Sequence, residues 1–558
     1  MTRPSLVPFA DAPEDSTAAA VAMRDGTKLH TEVYLPRRAQ AGVRVPAVLV
    51  RAPYGVREEF MMLPGIARFV TERGMAMVVQ DVRGKFRSEG ERLPFFHEVL
   101  DGYDTLEWIV AQRWSSGAVG MYGESYYGFT QWAALASGHP ALRAMTPLVT
   151  GSEVPTWFAR PGTVPFLAAP LGWLASCWDS ASMFERDEAE VLDFARAPVL
   201  SIVEAFPHAR DLASRLLVAP DAGLLATTYP HGLPALGVSI PVLHRGGWWD
   251  NLKGSQLDDW RAVQSAPGAA FQRLEMAAMD HYSEPFRLPG SDYPLANDAL
   301  SQDKAIERIV GTAVLFLEQH LGVRDVVSGP RVRVEVANAG WLEADEWPVR
   351  SAAMQAWYLC DASSALSSAD GGGLRPTSDR AITGVTVSHR PDDLVPSLAI
   401  SDFHVLPDIP DETDVHARCD VATFTSDPLQ GNTDIVGEVR AQIRVGASAE
   451  IVPLVLGLHH VTAESATLIT EGSLNASLGN GEQLVTVDLG ATAYRVRAGD
   501  RLRLSVSVTR FPRYLPPSGT LESAWLSSDR RPIDLDIRVG AGTGTRLLVP
   551  VLPSGQVQ

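Results

Sequence analysis

Cysteine is nearly absent from this chain. Cys177, Cys360 and Cys419 are all it has. They lie far apart and form no C-x-x-C pair, so neither a disulfide framework nor a cysteine zinc site is expected, and each reads as a small buried hydrophobe. Charge is scarce too, at 20% of residues against 46% hydrophobic, which excludes a chain held open by self-repulsion. Positive charge is the scarcer sign: 48 Lys and Arg against 66 Asp and Glu leave a formal net charge of −18. With no basic run or stripe, nucleic acid and anionic membranes are poor partners. No apolar stretch approaches the length of a membrane span, and the first residues lack an apolar signal core. The expectation is a soluble, cytoplasmic protein. Its 558 residues exceed one ordinary core, so two or three domains are expected.

What the chain does have is strands alternating with helices. A strand-like pattern begins at Val21, turns at Asp25-Gly26 and returns over 29–35, as a hairpin does. The apolar run 45–50 delivers Arg51, Pro53, Tyr54 and Gly55 at its end, and the run 75–80 delivers Asp81. Helical spacing is predicted over 58–73, restarted at Pro64, and over 98–112. Then come an apolar run, 118–122, the turn Gly123-Glu124-Ser125-Tyr126-Tyr127-Gly128, and an Ala-rich helix over 129–136. This alternation predicts an α/β fold with a parallel sheet covered on both faces. Reactive groups of such sheets gather at the carboxyl ends of the strands, where Tyr54, Asp81 and Ser125 fall.

From about 151 to 236 the alternation breaks. A helical insertion, a cap over the active edge, is expected, with helical pieces at 188–197 and 199–206. It carries Trp157, Phe158, Phe166, Trp173 and Trp178, which read either as packing of the cap itself or, together, as the wall of an apolar acyl or alcohol pocket. The alternation resumes at 240–247, followed by Trp248, Trp249 and Asp250, a helix near 255–263, a strand over 272–279 ending in Asp280-His281, and a helix over 304–321. Beyond a boundary at 328–330, period-two segments at 331–337, 381–388, 434–445, 483–489, 501–508 and 532–539 predict an all-β domain of sandwich or jelly-roll type.

Gly-x-Ser between a strand and a helix is the setting of a nucleophile elbow, in which the serine hydroxyl is exposed on a strained turn. A glycine-rich βα turn with an incidental serine would look the same, so the surrounding residues decide. A serine needs a base to take its proton. Among thirteen histidines, His281 is singled out by its place after a strand of the resumed α/β part, and Asp250 holds the equivalent place one strand earlier. Ser125, Asp250, His281 is the chain order that α/β-hydrolases use. His97, His139 and His244 rank lower as bases, and Asp258 and Asp259, on a predicted helix, rank lower as the acid. Trp249 and Leu252 flank the acid and read either as pocket lining or as core. His459 and His460 have no carboxylate or third ligand at metal spacing and read as a strand face, so no metal and no cofactor is expected.

Several separate stretches now carry a resemblance: Met23-Arg24-Asp25-Gly26, 51–55, 80–84 with 88–90, 101–108, Trp114, 123–128, 247–250 and Asp280-His281, then 345–347, 499–502 and 511–514. In this order they resemble the cocaine esterase/X-prolyl dipeptidyl-peptidase (CocE/NonD) hydrolases over nearly the whole chain. The resemblance implies an α/β-hydrolase domain (1–150 and 237–328), a helical cap (151–236) and a C-terminal jelly-roll-like β domain (329–558). It implies Ser125 as nucleophile, His281 as base and acid, Asp250 as orienting acid, and an oxyanion hole from the Tyr54 hydroxyl and the Tyr126 backbone N–H. Three departures stand out. Glu124 precedes the serine where relatives often carry a small or apolar residue; pairing with an arginine such as Arg51 or Arg83 is expected for it ahead of substrate binding. The segment 276–280 lacks the Gly-Pro-Trp type of sequence common before the histidine. The segment 449–461 lacks an acidic motif.

The function expected is a serine hydrolase that cleaves a carboxylic ester through an acyl-enzyme, with a moderately bulky apolar acyl group and a pocket drawn from Trp157, Trp173, Trp249, Leu252 and Glu124. The partner is a small-molecule ester or amide; the oligomeric state stays open, a homodimer included. Amide or peptide hydrolysis, of X-prolyl dipeptidyl-peptidase or amino-acid-ester/β-lactam acylase type, ranks lower, because a free amine calls for a carboxylate cluster and only Glu124 and the scattered acids Asp179, Glu185, Asp187 and Glu188 are at hand. Acyl transfer uses the same machinery, and a binding protein on an inactive hydrolase fold is the remaining alternative.

Overall fold

The computed structural model describes residues 16–58, 61–183, 192–194, 196–219, 237–281, 299–325, 329–367, 370–398, 409–479 and 481–557, with backbone alone at 299–305 and 308. Two large sheets organise it. The first takes β1 (Ser16–Ala22), β2 (Lys28–Tyr34), β3 (Val45–Ala52), β4 (Ala76–Asp81), β5 (Ser115–Glu124), β6 (Leu142–Leu148), β7 (Val242–Gly247), β8 (Gln272–Ala277), β9 (Val332–Val336) and β10 (Gly340–Ala344), in the order β1-β2-β4-β3-β5-β6-β7-β8-β9-β10. From β4 to β9 every neighbour is parallel. The central strands are apolar runs because helices cover both faces: every residue of β3 and β4 is buried. The pleat divides them. Val48 and Val50 point to a core shared with the helices Leu63–Thr71 and Ala299–His320. Ala47 and Leu49 point to the opposite core, shared with Glu98–Val110, Ser125–Ala136 and Lys253–Val263.

The second sheet takes β11 (Ala353–Cys360), β12 (Gly372–Arg375), β13 (Thr383–His389), β14 (Ala422–Ser426), β15 (Thr433–Ala447), β16 (Ile451–Val461), β17 (Ala466–Ser477), β18 (Gln483–Val496), β19 (Arg501–Ser507), β20 (Ile533–Val539) and β21 (Arg546–Val551). Its order is β13-β20-β15-β21-β11-β12-β14-β19-β16-β17, with β18 on β15. Only β12 and β14 pair in parallel among these described strands.

Three expectations change. The segment 331–337 belongs to the first sheet: β9 pairs in parallel with β8. The helix Ala299–His320 lies between these two strands in the chain, so together they form a βαβ crossover, and alternation alone does not say which sheet a strand joins. Within the insertion, Val199–Val203 is a single 3-10 turn, and the helix starts at Pro207 (Pro207–Ala213), where proline suits a first helical position. The piece at 188–197 lies largely outside the described residues, as do Glu185, Asp187 and Glu188. Finally, His459 does meet a carboxylate. Glu412, His416 and His459 are buried with ligand atoms all within 4.8 Å of one another, brought together by folding across a long sequence separation. The cluster already holds a cation: Arg510 bonds Glu412 at 2.7 Å. Burial pushes Glu412 upward, but Arg510, His416 and His459 outweigh it and keep the carboxyl well below its usual range. Among the described residues no helix is long and apolar enough to cross a membrane.

Candidate active site

Strand β5 ends at Glu124 and the helix Ser125–Ala136 begins at the next residue. Ser125 makes the corner with φ 54°, a left-handed conformation that a side chain disfavours and that persists only where the surroundings enforce it. The enforcement is visible. A Cβ at Gly123 would stand 2.4 Å from Tyr127 Cδ2, and one at Gly128 2.6 Å from Thr150 Cγ2. Both glycines are therefore required by close approach, and the Thr150 hydroxyl donates to the Ser125 carbonyl at 2.7 Å.

Asp250 and His281 arrive from the ends of β7 and β8, the two parallel strands beyond β6. Their loops pack backbone on backbone: Trp249 N–H donates to Met279 O at 3.2 Å, and a Cβ at Gly247 would lie 2.3 Å from the same carbonyl. His281 Nδ1 lies 2.7 Å from Asp250 Oδ1, and His281 Nε2 lies 2.9 Å from Ser125 Oγ. With Nδ1–H donating to the carboxylate, the Nε2 lone pair faces the serine proton. Burial alone would lower the histidine pKa, but the Asp250 charge and hydrogen bond, joined by Glu124 and Asp280, carry it above the ordinary value. An imidazole so placed can accept the Oγ proton and hold it as an ion pair with Asp250.

The two donors expected from the sequence are Tyr54 and the Tyr126 N–H. Tyr54 follows β3, in a loop held where Asp81 Oδ1 accepts from Val56 N–H at 3.0 Å; burial pushes the Asp81 carboxyl up to about 7. The Tyr54 hydroxyl accepts from Trp173 Nε1–H at 3.2 Å. Tyr126 N–H lies in the first turn of the helix, where backbone donors have no intrahelical partner. The Tyr126 side chain is an anchor: its hydroxyl donates to Glu98 Oε1 at 2.8 Å and accepts from Phe95 N–H at 2.7 Å. Glu98 is clamped by Arg51 at 2.7 Å. Glu98 was invisible to motif reading because it opens an ordinary amphipathic helix; its burial is what marks it.

Neither of the two arginines named for Glu124 is its partner. Arg51 is committed to Glu98, and Arg83 to Asp25 and Asp101. Glu124 instead accepts from the Tyr127 hydroxyl, one helical turn away. Trp249 is also relocated. Its indole donates to Leu468 O of β17 at 3.1 Å, which turns it towards a second cavity of ≈150 Å³ between the sheets, lined by Lys253, Glu471 and Arg513 among others. The lower-ranked candidates are held elsewhere: His139 by Glu107, His244 by Gln272, Asp259 by Ser152 and Asp258 by Arg160 and Arg261.

The chain matches the X-Pro dipeptidyl-peptidase (S15 family) over residues 25–283 and the X-Pro dipeptidyl-peptidase C-terminal non-catalytic domain over residues 325–533. It is 28% identical to the cocaine esterase of Rhodococcus sp. (strain MB1 Bresler) over 548 residues, covering 90% of this chain and 92% of that one. The chain belongs to the cocaine esterase/X-prolyl dipeptidyl-peptidase (CocE/NonD) hydrolases. It is accordingly an enzyme, a hydrolase of a serine esterase and peptidase family. Two solved structures share the fold of this family member over 99% of its length. They are an aminopeptidase from a marine sediment archaeon, Thaumarchaeota archaeon (TM-score 0.79, 17% identity, 99% of that chain), and an α-amino acid ester hydrolase (TM-score 0.78, 20% identity, 100% of that chain). The Ser125 pocket is narrow, ≈20 Å³, and lined by Trp157, Phe158, Ala169, Pro170, Trp173, Asn251 and Leu252. The bulkier pocket expected from the aromatic content is reduced because the rings pack on one another: Trp157 and Trp173 both lie against Phe95, and Trp178 against Tyr126.

Proposed function

We propose that this protein is a serine carboxylesterase working through an acyl-enzyme, with Ser125 as nucleophile, His281 as base and acid, Asp250 as orienting acid, and the Tyr54 hydroxyl and Tyr126 N–H as the oxyanion hole. The observation that carries the reading is the unbroken line from Asp250 Oδ1 through His281 to Ser125 Oγ, at 2.7 Å and 2.9 Å. Ser125 Oγ attacks the ester carbonyl carbon while His281 Nε2 takes its proton. The carbonyl oxygen gathers negative charge towards Tyr54 and Tyr126. His281 returns the proton to the departing alkoxide, leaving the acyl group on Ser125. Water, deprotonated by the same nitrogen, then releases the acid and restores the serine.

Ester cleavage is favoured over peptide cleavage by the lining. Among the described residues the Ser125 pocket presents aromatic and aliphatic walls, one amide and no carboxylate, whereas capture of a free α-amine calls for an anionic partner. In this reading the insertion, 151–236, is the cap, its described residues lining this pocket through Trp157, Phe158 and Trp173, and the second sheet, from β11 onward, is a jelly-roll-like domain. The test compares turnover of p-nitrophenyl esters with that of aminoacyl-proline anilides. Esters are expected to be the better substrates by orders of magnitude in kcat/KM; preference for the anilides would transfer the assignment to a dipeptidyl-peptidase.

A further inference from the structure

Trp173 closes the helix Ala168–Trp173 and is 7% exposed. Its ring packs on Phe95, Tyr126 and Trp178 at centroid distances of 5.7, 6.2 and 5.8 Å, and one edge lines the Ser125 pocket. Lining explains why the residue is aromatic. It does not explain why the indole N–H is aimed at the Tyr54 hydroxyl, 3.2 Å away. A phenol has one proton to give and two lone pairs to offer. Once an N–H occupies one lone pair, the phenol's own O–H is turned to another side of the oxygen. A donor in such a chain is also polarised by the bond it accepts, which strengthens the bond it gives.

We infer that Trp173 is the positioning residue of the oxyanion donor: its indole N–H fixes the direction of the Tyr54 O–H and makes that hydroxyl a stronger donor to the developing oxyanion. The inference rests on the reading of Tyr54 proposed above. The indole is itself referenced to both halves of the molecule. At the start of its helix, Leu167 and Ala168 N–H donate to Arg513 O at 2.8 Å and Pro512 O at 3.1 Å, from the segment that follows β19. Beyond its end, the buried Lys85 ammonium donates to the carbonyls of Cys177, Ser180 and Ser182, from the loop that follows β4. An N–H held from two sides has a fixed aim, which a catalytic hydrogen bond requires and simple pocket lining does not.

The test is a double-mutant cycle on kcat and KM with a short-chain p-nitrophenyl ester, using Trp173→Phe, Tyr54→Phe and both together. A second route replaces Trp173 by benzothienylalanine, which keeps the ring shape and removes only the N–H; it covers the case in which Trp173→Phe disturbs folding. Either Trp173 replacement is expected to lower kcat about three- to tenfold with KM little changed, the size of one hydrogen bond. In the Tyr54→Phe background the same replacement is expected to have no further effect, because the bond it removes has gone. If Tyr54→Phe is slow but the Trp173 effect multiplies with it, or appears only in KM, Trp173 merely lines the pocket and the inference is overturned. If Tyr54→Phe turns over at the wild-type rate, the reading of Tyr54 fails and the inference falls with it.

Discussion

At the scale of single residues the informative one is Glu124. Its carboxylate accepts from the Tyr127 hydroxyl, whose ring meets Tyr54 edge-on at 6.1 Å. Among the described residues, the charges acting on His281 include Asp250, by contact, and Glu124 and Asp280, through space; Lys253, on the helix Lys253–Val263, interacts with Asp250. A negative charge near an imidazole favours the protonated form. The base needed for attack is the neutral form, so the acid limb of kcat/KM is expected above the ordinary histidine value. Glu124→Gln removes a charge that favours the proton and is therefore expected to move that limb to lower pH, as measured by a pH profile with a neutral ester. A limb that stays in place would show that Glu124 is a partner of Tyr127 and nothing more to His281.

At the scale of elements the determining fact is that the helix Ala168–Trp173 and the turn Pro155–Phe158 put three aromatic rings against one serine. Because the cavity they leave is small, esters with small or flat acyl groups are expected to have the highest kcat/KM in a series that lengthens the acyl chain while holding p-nitrophenol constant. A maximum at long chains would mean that the acyl group lies elsewhere, for example in the cavity beside Trp249. How far the elements were legible differs by kind. β3 and β4 stood out because strands buried on both faces are short apolar runs, and Ser125, Asp250 and His281 because each follows such a run. β6 did not: its Arg143 and Pro147 break the pattern, yet proline is tolerated there, opposite Gly123 of β5. The helix Ala168–Trp173 is hidden by Pro170 and Gly172, and adjacency in sequence does not reveal that Arg51 and Arg83 are already clamped by Glu98, Asp25 and Asp101. Partners that depend on tertiary contacts, such as Glu412 with His459, leave no periodic signature.

At the scale of the whole molecule the β domain does more than sit beside the hydrolase sheet. Arg510 is buried between Glu412 at 2.7 Å and Glu471 at 3.7 Å, and Arg513 meets Glu471 at 3.3 Å. These ions fix the segment whose carbonyls at 512 and 513 receive Leu167 and Ala168. Arg510→Ala leaves two buried carboxylates short of a cation, and breaking such a pair typically costs about 3–5 kcal/mol. Urea or thermal unfolding of the second sheet is expected to show that loss, and kcat is expected to fall with it as the helix bearing Trp173 loosens; unchanged stability would mean that Glu412 and Glu471 are satisfied without Arg510. Above all of these stands the line from Asp250 to Ser125. Its most direct test is mass spectrometry of the protein after treatment with a fluorophosphonate probe. The expected result is one adduct per chain, on the peptide containing Ser125, formed more slowly in His281→Gln and absent from Ser125→Ala together with ester hydrolysis. An adduct on a different serine, or hydrolysis at the wild-type rate in Ser125→Ala, would contradict the assignment.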